Sequence, residues 1–309
     1  MGIPERGKRG RVACCDRPAV EHSAGRTGHL RAEDSPLTTR TVFFVSDQTG
    51  VTAETMGHSL LTQFDGLQFR AVTLPFVSSI DKAKEAAKRI NAAAAESGLR
   101  PIIFGTLVQD ELRDELKDTN ALFLDFFEAF VGPMEEELGT RSSHRAGQAH
   151  GLADAVGYAM RIDATNYALA NDDGSHRDYA KADVILVGVS RSGKTPTCLY
   201  MAMQYGIFAA NYPLTDDDLE SNRLPPSLQA HKSKLYGLRI AARRLQQIRQ
   251  ERRPNSRYAS AQQVQFETRA AESIFARHGI PVLDTTECSI EEISARVLEA
   301  KGIERRVRP

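Results

Sequence analysis

Apolar residues fall along this chain in short β-branched or aromatic runs, separated by stretches whose apolar positions recur at helical spacing. The first run, Thr41-Val42-Phe43-Phe44-Val45, predicts a strand. A hydroxyl-rich glycine turn follows, Ser46-Asp47-Gln48-Thr49-Gly50-Val51-Thr52, and a helical stretch runs from about Ala53 to Phe64. Phe69 to Leu74 reads as a second strand. Ile80, Ala83, Ala87, Ile90 and Ala94 then share one helical face, which stops at Gly98. Pro101-Ile102-Ile103-Phe104 predicts a strand, Asp110 to Lys117 a helix, and Ala121-Leu122-Phe123-Leu124 a strand ending in Asp125. Strands alternating with helices imply a mostly parallel sheet covered on both faces. Ligands of such sheets lie beyond the carboxyl ends of the strands. That places Ser46 to Thr52 and Asp125 on the functional edge, where the turn is either an anion or partner site or simply the way a βα unit turns.

From Gly132-Pro133 to about Asp183 the pattern is irregular and polar, with one helix near Ala153 to Ala170. Asn171-Asp172-Asp173-Gly174 within it reads chiefly as a turn, and secondarily as a metal site. His150 reads as a capping or surface histidine before it reads as a catalytic one. Alternation resumes at Val184-Ile185-Leu186-Val187, a buried parallel strand by its composition. A helix opens near Pro196, with Cys198, Leu199, Ala202 and Met203 at helical spacing. Phe208 to Tyr212 follows as a strand, Ile240 to Arg253 and Ala259 to His278 as helices, and Ile280-Pro281-Val282-Leu283-Asp284 as a last short strand. Ser289 opens a closing helix, with Glu292 completing a capping box. The expectation is α/β throughout: a mostly parallel domain over 39–180, then a P-loop kinase-like domain over 181–309. Residues 1–38 have almost no apolar periodicity and predict a disordered basic tail. Interleaved acidic residues and the lack of aromatics argue against nucleic-acid binding there.

Between the buried strand and the helix start lies Gly188-Val189-Ser190-Arg191-Ser192-Gly193-Lys194-Thr195, which fits G-x-x-x-x-G-K-[ST] at every position. Backbone N–H groups of such a loop cradle phosphates, the lysine reaches the outer ones, and the helix N-terminus adds its dipole. All eight residues are candidate phosphate-binding positions. Arg239, Arg243, Arg244, Arg249, Arg252 and Arg253 crowd one later segment. Such a run is ordinarily a solvated face; beside a phosphate site, one or two of these arginines are expected over the transferring group. Asp284, at a strand end, is a candidate magnesium ligand.

Composition narrows the class further. Lys plus Arg and Asp plus Glu number 40 each among 309 residues, so no bulk field recruits nucleic acid or a membrane. The four cysteines lack metal-ligand spacing, no apolar run approaches a membrane span, and no signal-peptide core opens the chain. A cytoplasmic protein is expected.

Together these segments resemble the phosphoenolpyruvate synthase regulatory proteins, with the related regulators of pyruvate, phosphate dikinase. The likeness runs from about residue 40 to 300. It rests on Val45-Ser46-Asp47 with Thr49-Gly50-Val51-Thr52-Ala53-Glu54, Gly132-Pro133-Met134-Glu135, Arg161-Ile162-Asp163, Asp172-Asp173-Gly174, Ala182 through Thr197, Ala210-Asn211-Tyr212-Pro213-Leu214, Gly237-Leu238 and Ser289-Ile290-Glu291-Glu292. The resemblance implies a bifunctional enzyme. It would use ADP to phosphorylate, and so switch off, a Thr of phosphoenolpyruvate synthase, and would reverse this with inorganic phosphate, releasing pyrophosphate. It further implies ADP at Gly188 to Thr195, Lys194 as the catalytic charge, Thr195 placed for Mg2+ if one is used, and a homodimer. It assigns no general base; Asp172, Asp173, Asp284 and His150 remain candidates. An ATP-dependent small-molecule kinase and a non-catalytic nucleotide-sensing adaptor are the other readings, and AMP production from ADP with the synthase present separates them.

Overall fold

A computed structural model describes residues 39–144, 155–174 and 178–307, so the tail over 1–38 and His150 lie outside the described residues. The chain divides into two compact units between Ala146 and Gly147.

The first unit alternates β1 (Arg40–Ser46), α1 (Val51–Leu61), β2 (Phe69–Leu74), α2 (Ile80–Ser97), β3 (Ile102–Thr106), α3 (Asp110–Lys117), β4 (Leu122–Asp125) and α4 (Phe126–Leu138). Its four strands are parallel in the order β2-β1-β3-β4. Strand β1 is central and apolar on both faces because both faces are covered. Phe43 and Val45 pack with Ala83, Ile90, Leu112 and Leu116 of α2 and α3. Val42 and Phe44 pack on the other face with Ala53 and Leu61 of α1 and Phe126 of α4. Helix α4 departs from the irregular stretch expected at Gly132-Pro133. Asp125 caps its start, its Oδ1 accepting the Glu128 N–H at 2.8 Å, and the helix carries Pro133 through to Leu138. Proline's fixed φ is already helical, and its ring removes one backbone bond without ending the helix here.

The second unit runs α5 (Ala155–Ala170), a 3-10 turn (Asp172–Gly174), β5 (Val184–Gly188), α6 (Lys194–Tyr205), β6 (Ala209–Pro213), α7 (Asp216–Ser221), α8 (Pro226–Gln229), β7 (Leu235–Arg239), α9 (Ala242–Arg252), α10 (Ala261–His278), β8 (Val282–Asp284) and α11 (Ile290–Lys301). Four parallel strands stand in the order β6-β5-β7-β8. Ile185 and Val187 of β5 face a core shared with Leu245, Ile274 and Phe275, while Val184 and Leu186 face Met201, Ala202 and Val297. Helix α5 belongs to this unit, ahead of the boundary expected at 180/181, because Ala164 and Ala168 share a core with Met201 and Ala202 of α6. Pro281 precedes edge strand β8, where a missing N–H is tolerated, and its carbonyl accepts the Gly237 N–H at 2.8 Å. Among the described residues no helix is long and apolar enough to cross a membrane.

Candidate active site

The eight-residue motif bridges the end of β5 and the first turn of α6. A Cβ on Gly188 would stand 2.6 Å from the Leu238 carbonyl oxygen and 2.8 Å from Ser192 Oγ, so only glycine lets the loop fold back against β7. Gly193, at φ 91° and ψ 6°, takes the left-handed conformation immediately before Lys194, turning the chain into α6. Arg191 is left-handed as well, at φ 74°, an uncommon state for a residue with a side chain. Val189 and Ser192 are buried, Ser190, Gly193 and Thr195 half-buried, and Arg191 exposed. The N–H groups of the first turn of α6 have no acceptor within the helix, the general condition of a helix start.

Lys194 is buried, and its Nζ donates to the Val189 carbonyl at 2.8 Å. Burial pushes its ammonium down to about 8; Asp173 and Asp172 oppose the shift and the Arg249 guanidinium adds to it. Next along α6, the Thr195 hydroxyl donates to Asp172 Oδ1 at 2.8 Å. Asn211 of β6 joins the two: its Nδ2 donates to that same Oδ1 and lies 3.3 Å from Thr195 Oγ1, and its Oδ1 accepts the Asp173 N–H at 2.9 Å. The Asp-Asp-Gly segment is thus a turn, as its residues suggest, and it also carries a carboxylate onto the motif's hydroxyl. Hard oxygens from Thr195 and Asp172 fit a magnesium ion that also takes phosphate oxygens and water. No group of three or more His, Cys, Asp or Glu suited to a metal occurs among the described residues.

Asp284 stands elsewhere. It ends edge strand β8, with β7 between it and β5, and its side chain is half exposed. Partial burial would raise its carboxyl, but hydrogen bonds from Thr286 and the Arg239 guanidinium at 2.9 Å hold it below the usual range. The structure therefore gives the carboxylate beside Thr195 as Asp172. Two of the six arginines are engaged elsewhere. Arg239 pairs with Asp284 and Glu272, and Arg249 is wholly buried behind the loop. Its guanidinium forks onto Glu267 at 3.1 and 2.6 Å and donates to the carbonyls of Ser190 and Tyr258, each at 3.1 Å. Asn211, Tyr258, Glu267 and Thr285 were not singled out by sequence as site residues; a polar residue inside an apolar strand run was the one available signal, and it applies to Asn211 alone.

The glycine turn of the first unit is built differently. Asp47 is buried in it and accepts the Val108 N–H on Oδ2 at 3.1 Å, while Ser46 Oγ accepts the Gln48 N–H at 3.1 Å. Burial raises the carboxyls of both Asp47 and Asp125. At the first position of α1 stands Val51, where α6 has Lys194. The first unit also holds an apolar cavity of about 510 Å3 lined by Leu60, Phe64, Leu67, Ile102 and Leu122, among others; its lining includes no carboxylate, imidazole, thiol or hydroxyl.

The family model described as kinase/pyrophosphorylase matches residues 42–298. A relative from Alcanivorax borkumensis is 55% identical over 269 residues, covering 87% of this chain and 99% of its own. One from Aromatoleum aromaticum is 55% identical over 276 residues, 89% and 99% of the two chains, and one from Ectopseudomonas mendocina 53% over 270, 87% and 99%. All three carry the name phosphoenolpyruvate synthase regulatory protein.

Proposed function

Because this chain belongs to the kinase/pyrophosphorylase family, we propose that it inactivates phosphoenolpyruvate synthase by ADP-dependent phosphorylation of a Thr and restores it by phosphate-dependent dephosphorylation. The names of its relatives support the target. One observation carries the chemistry: Lys194 and Thr195 open α6 directly behind the left-handed Gly193, with Asp172 on the Thr195 hydroxyl.

In the forward direction the Thr hydroxyl oxygen attacks the β-phosphorus of ADP. The bond from that phosphorus to the bridging oxygen breaks, AMP leaves, and the hydroxyl proton passes to solvent. In reverse an oxygen of inorganic phosphate attacks the phosphothreonine phosphorus, and the bond to the Thr oxygen breaks. Pyrophosphate leaves, and the Thr oxygen regains a proton. Both directions move a phosphoryl group between a Thr oxygen and a phosphate oxygen, so one cradle of N–H donors and one Lys194 ammonium can stabilise both transition states. A magnesium ion, held by Thr195 and Asp172, would neutralise phosphate charge. A second phosphate pocket at Ser46 to Thr52 is disfavoured, because α1 opens there on Val51, with no ammonium in the place that Lys194 takes in α6.

The test is AMP formation when ADP, purified synthase and this protein are incubated together. Lys194→Ala should keep the fold and lose at least about a hundredfold in AMP formation, and pyrophosphate formation from phosphorylated synthase should fall alongside. Faster phosphorylation with ATP than with ADP would refute the donor. Full pyrophosphate formation in Lys194→Ala would refute the shared site.

A further inference from the structure

We propose that Arg249 is the positioning residue of the phosphate loop, acting through the Ser190 carbonyl to aim the Arg191 N–H at the transferring phosphoryl group. This rests on Gly188 to Thr195 being where ADP and pyrophosphate bind. An arginine with a wholly buried side chain, inside a helix otherwise rich in exposed charge, requires a reason. Its partners supply one. The Nη2 group divides its donors between Glu267 at 2.6 Å and the Ser190 carbonyl at 3.1 Å, and Nη1 between Glu267 and the Tyr258 carbonyl, each at 3.1 Å. The guanidinium carbon also lies 4.1 Å from the centre of the Tyr258 ring, and the Tyr258 hydroxyl meets Ser190 Oγ at 2.8 Å. Ser190 is therefore held twice, at its backbone carbonyl by the buried Arg249 and at its hydroxyl by the half-buried Tyr258.

A trans peptide is planar, with its C=O and N–H pointing opposite ways, and no peptide in the described residues is cis. Drawing the Ser190 carbonyl toward Arg249 turns the Arg191 N–H to the other side of the loop. Two peptides further on, the Thr285 hydroxyl shares its one proton between the Arg239 carbonyl at 3.0 Å and the Ser192 carbonyl at 3.2 Å, a weaker hold of the same kind on the peptide that carries the Gly193 N–H. Between these two held peptides lies the left-handed Arg191, a conformation that persists when its surroundings over-determine it. Glu267 fixes the orientation of the fork, and Gln263 Nε2 donates to its Oε1 at 3.1 Å. A lysine at 249 would hold a charge there without spanning Glu267, Ser190 and Tyr258 together.

Arg249→Met combined with Glu267→Leu removes both buried charges and leaves neither unpaired. That double variant should melt within a few degrees of the parent, bind ADP and inorganic pyrophosphate at least tenfold more weakly by calorimetry, and lose more in kcat than it gains in KM. Unchanged binding and kcat would overturn the positioning role. If the double variant melts early, Arg249→Lys decides by the same two readings: weakened binding with a native melt supports the role, and parental binding overturns it. Failure of the parent protein itself to bind ADP or pyrophosphate would refute the phosphate site, whereas parental binding with indifferent variants refutes Arg249 alone.

Discussion

Lys194 begins its work under constraint: buried, bonded to the Val189 carbonyl, and with its ammonium pushed down to about 8. Phosphate oxygens favour the charged form, so ADP binding at pH 8 should draw in about half a proton, and about a tenth of one at pH 7. Calorimetry in buffers of different ionisation heat reads this directly, and Lys194→Arg, which does not titrate there, should abolish the buffer dependence. Proton release on binding at pH 8, or equal uptake by Lys194→Arg, would refute the assignment. Stability follows the same linkage with its own sign. The unfolded chain binds more protons than the folded one between the depressed value near 8 and the ordinary 10.5, so this residue's contribution to stability rises with pH across that window. At this scale Lys194 and Thr195 were legible, because the motif is contiguous. Asp172 could not be separated from Asp173 and Asp284 in the sequence: all three are acids beside turns or strand ends, and what distinguishes Asp172 is an Asn211 and a Thr195 far away along the chain.

Elements were easier to read than their interiors. Strand β2 and helix α3 fall at the limits their periodicity predicts, because each is bounded by breaks in the apolar pattern. Helix α4 is not predicted anywhere along its length, since proline and glycine weigh against a helix at Gly132-Pro133 while the Asp125 cap and the Phe126 packing act from outside that window. The arginine run of α9 predicts a solvated face with one or two members over the phosphoryl group, and composition cannot reveal that Arg249 turns inward onto Glu267 of α10. Where β5 meets β7, the critical constraint is steric. Gly188→Ala would press a Cβ into the Leu238 carbonyl, so it should cost about 1–3 kcal/mol of stability. Denaturant titration reads that loss, and ADP affinity should fall as β5 and the loop shift. A parental unfolding midpoint in Gly188→Ala would show that the strands part at no cost.

On the scale of the whole molecule, the two glycine turns make a prediction that no single residue makes. Hydrogen exchange with ADP, and separately with pyrophosphate, should slow in the amides of 188–195 and stay unchanged over 46–52. Protection of both turns would restore a second phosphate pocket. Alternating strand and helix makes the α/β class legible on either side of the irregular stretch from 132 to 183, though β7 goes unread, and the strand order is not legible, since it depends on which side of the central strand each crossover returns. That order turns out to be the same in both units, β2-β1-β3-β4 and β6-β5-β7-β8, and in both the helix after the central strand starts behind a left-handed glycine, Gly50 at φ 85° and Gly193 at φ 91°. Winding of this kind reverses direction beside the central strand and opens a crevice there. The chain therefore builds the same receptacle twice, with an ammonium at the helix start of one copy and an apolar side chain at that of the other. Electrical sign at the helix start, set by Lys194 in one copy and by Val51 in the other, is the difference between the twins that exchange protection would read.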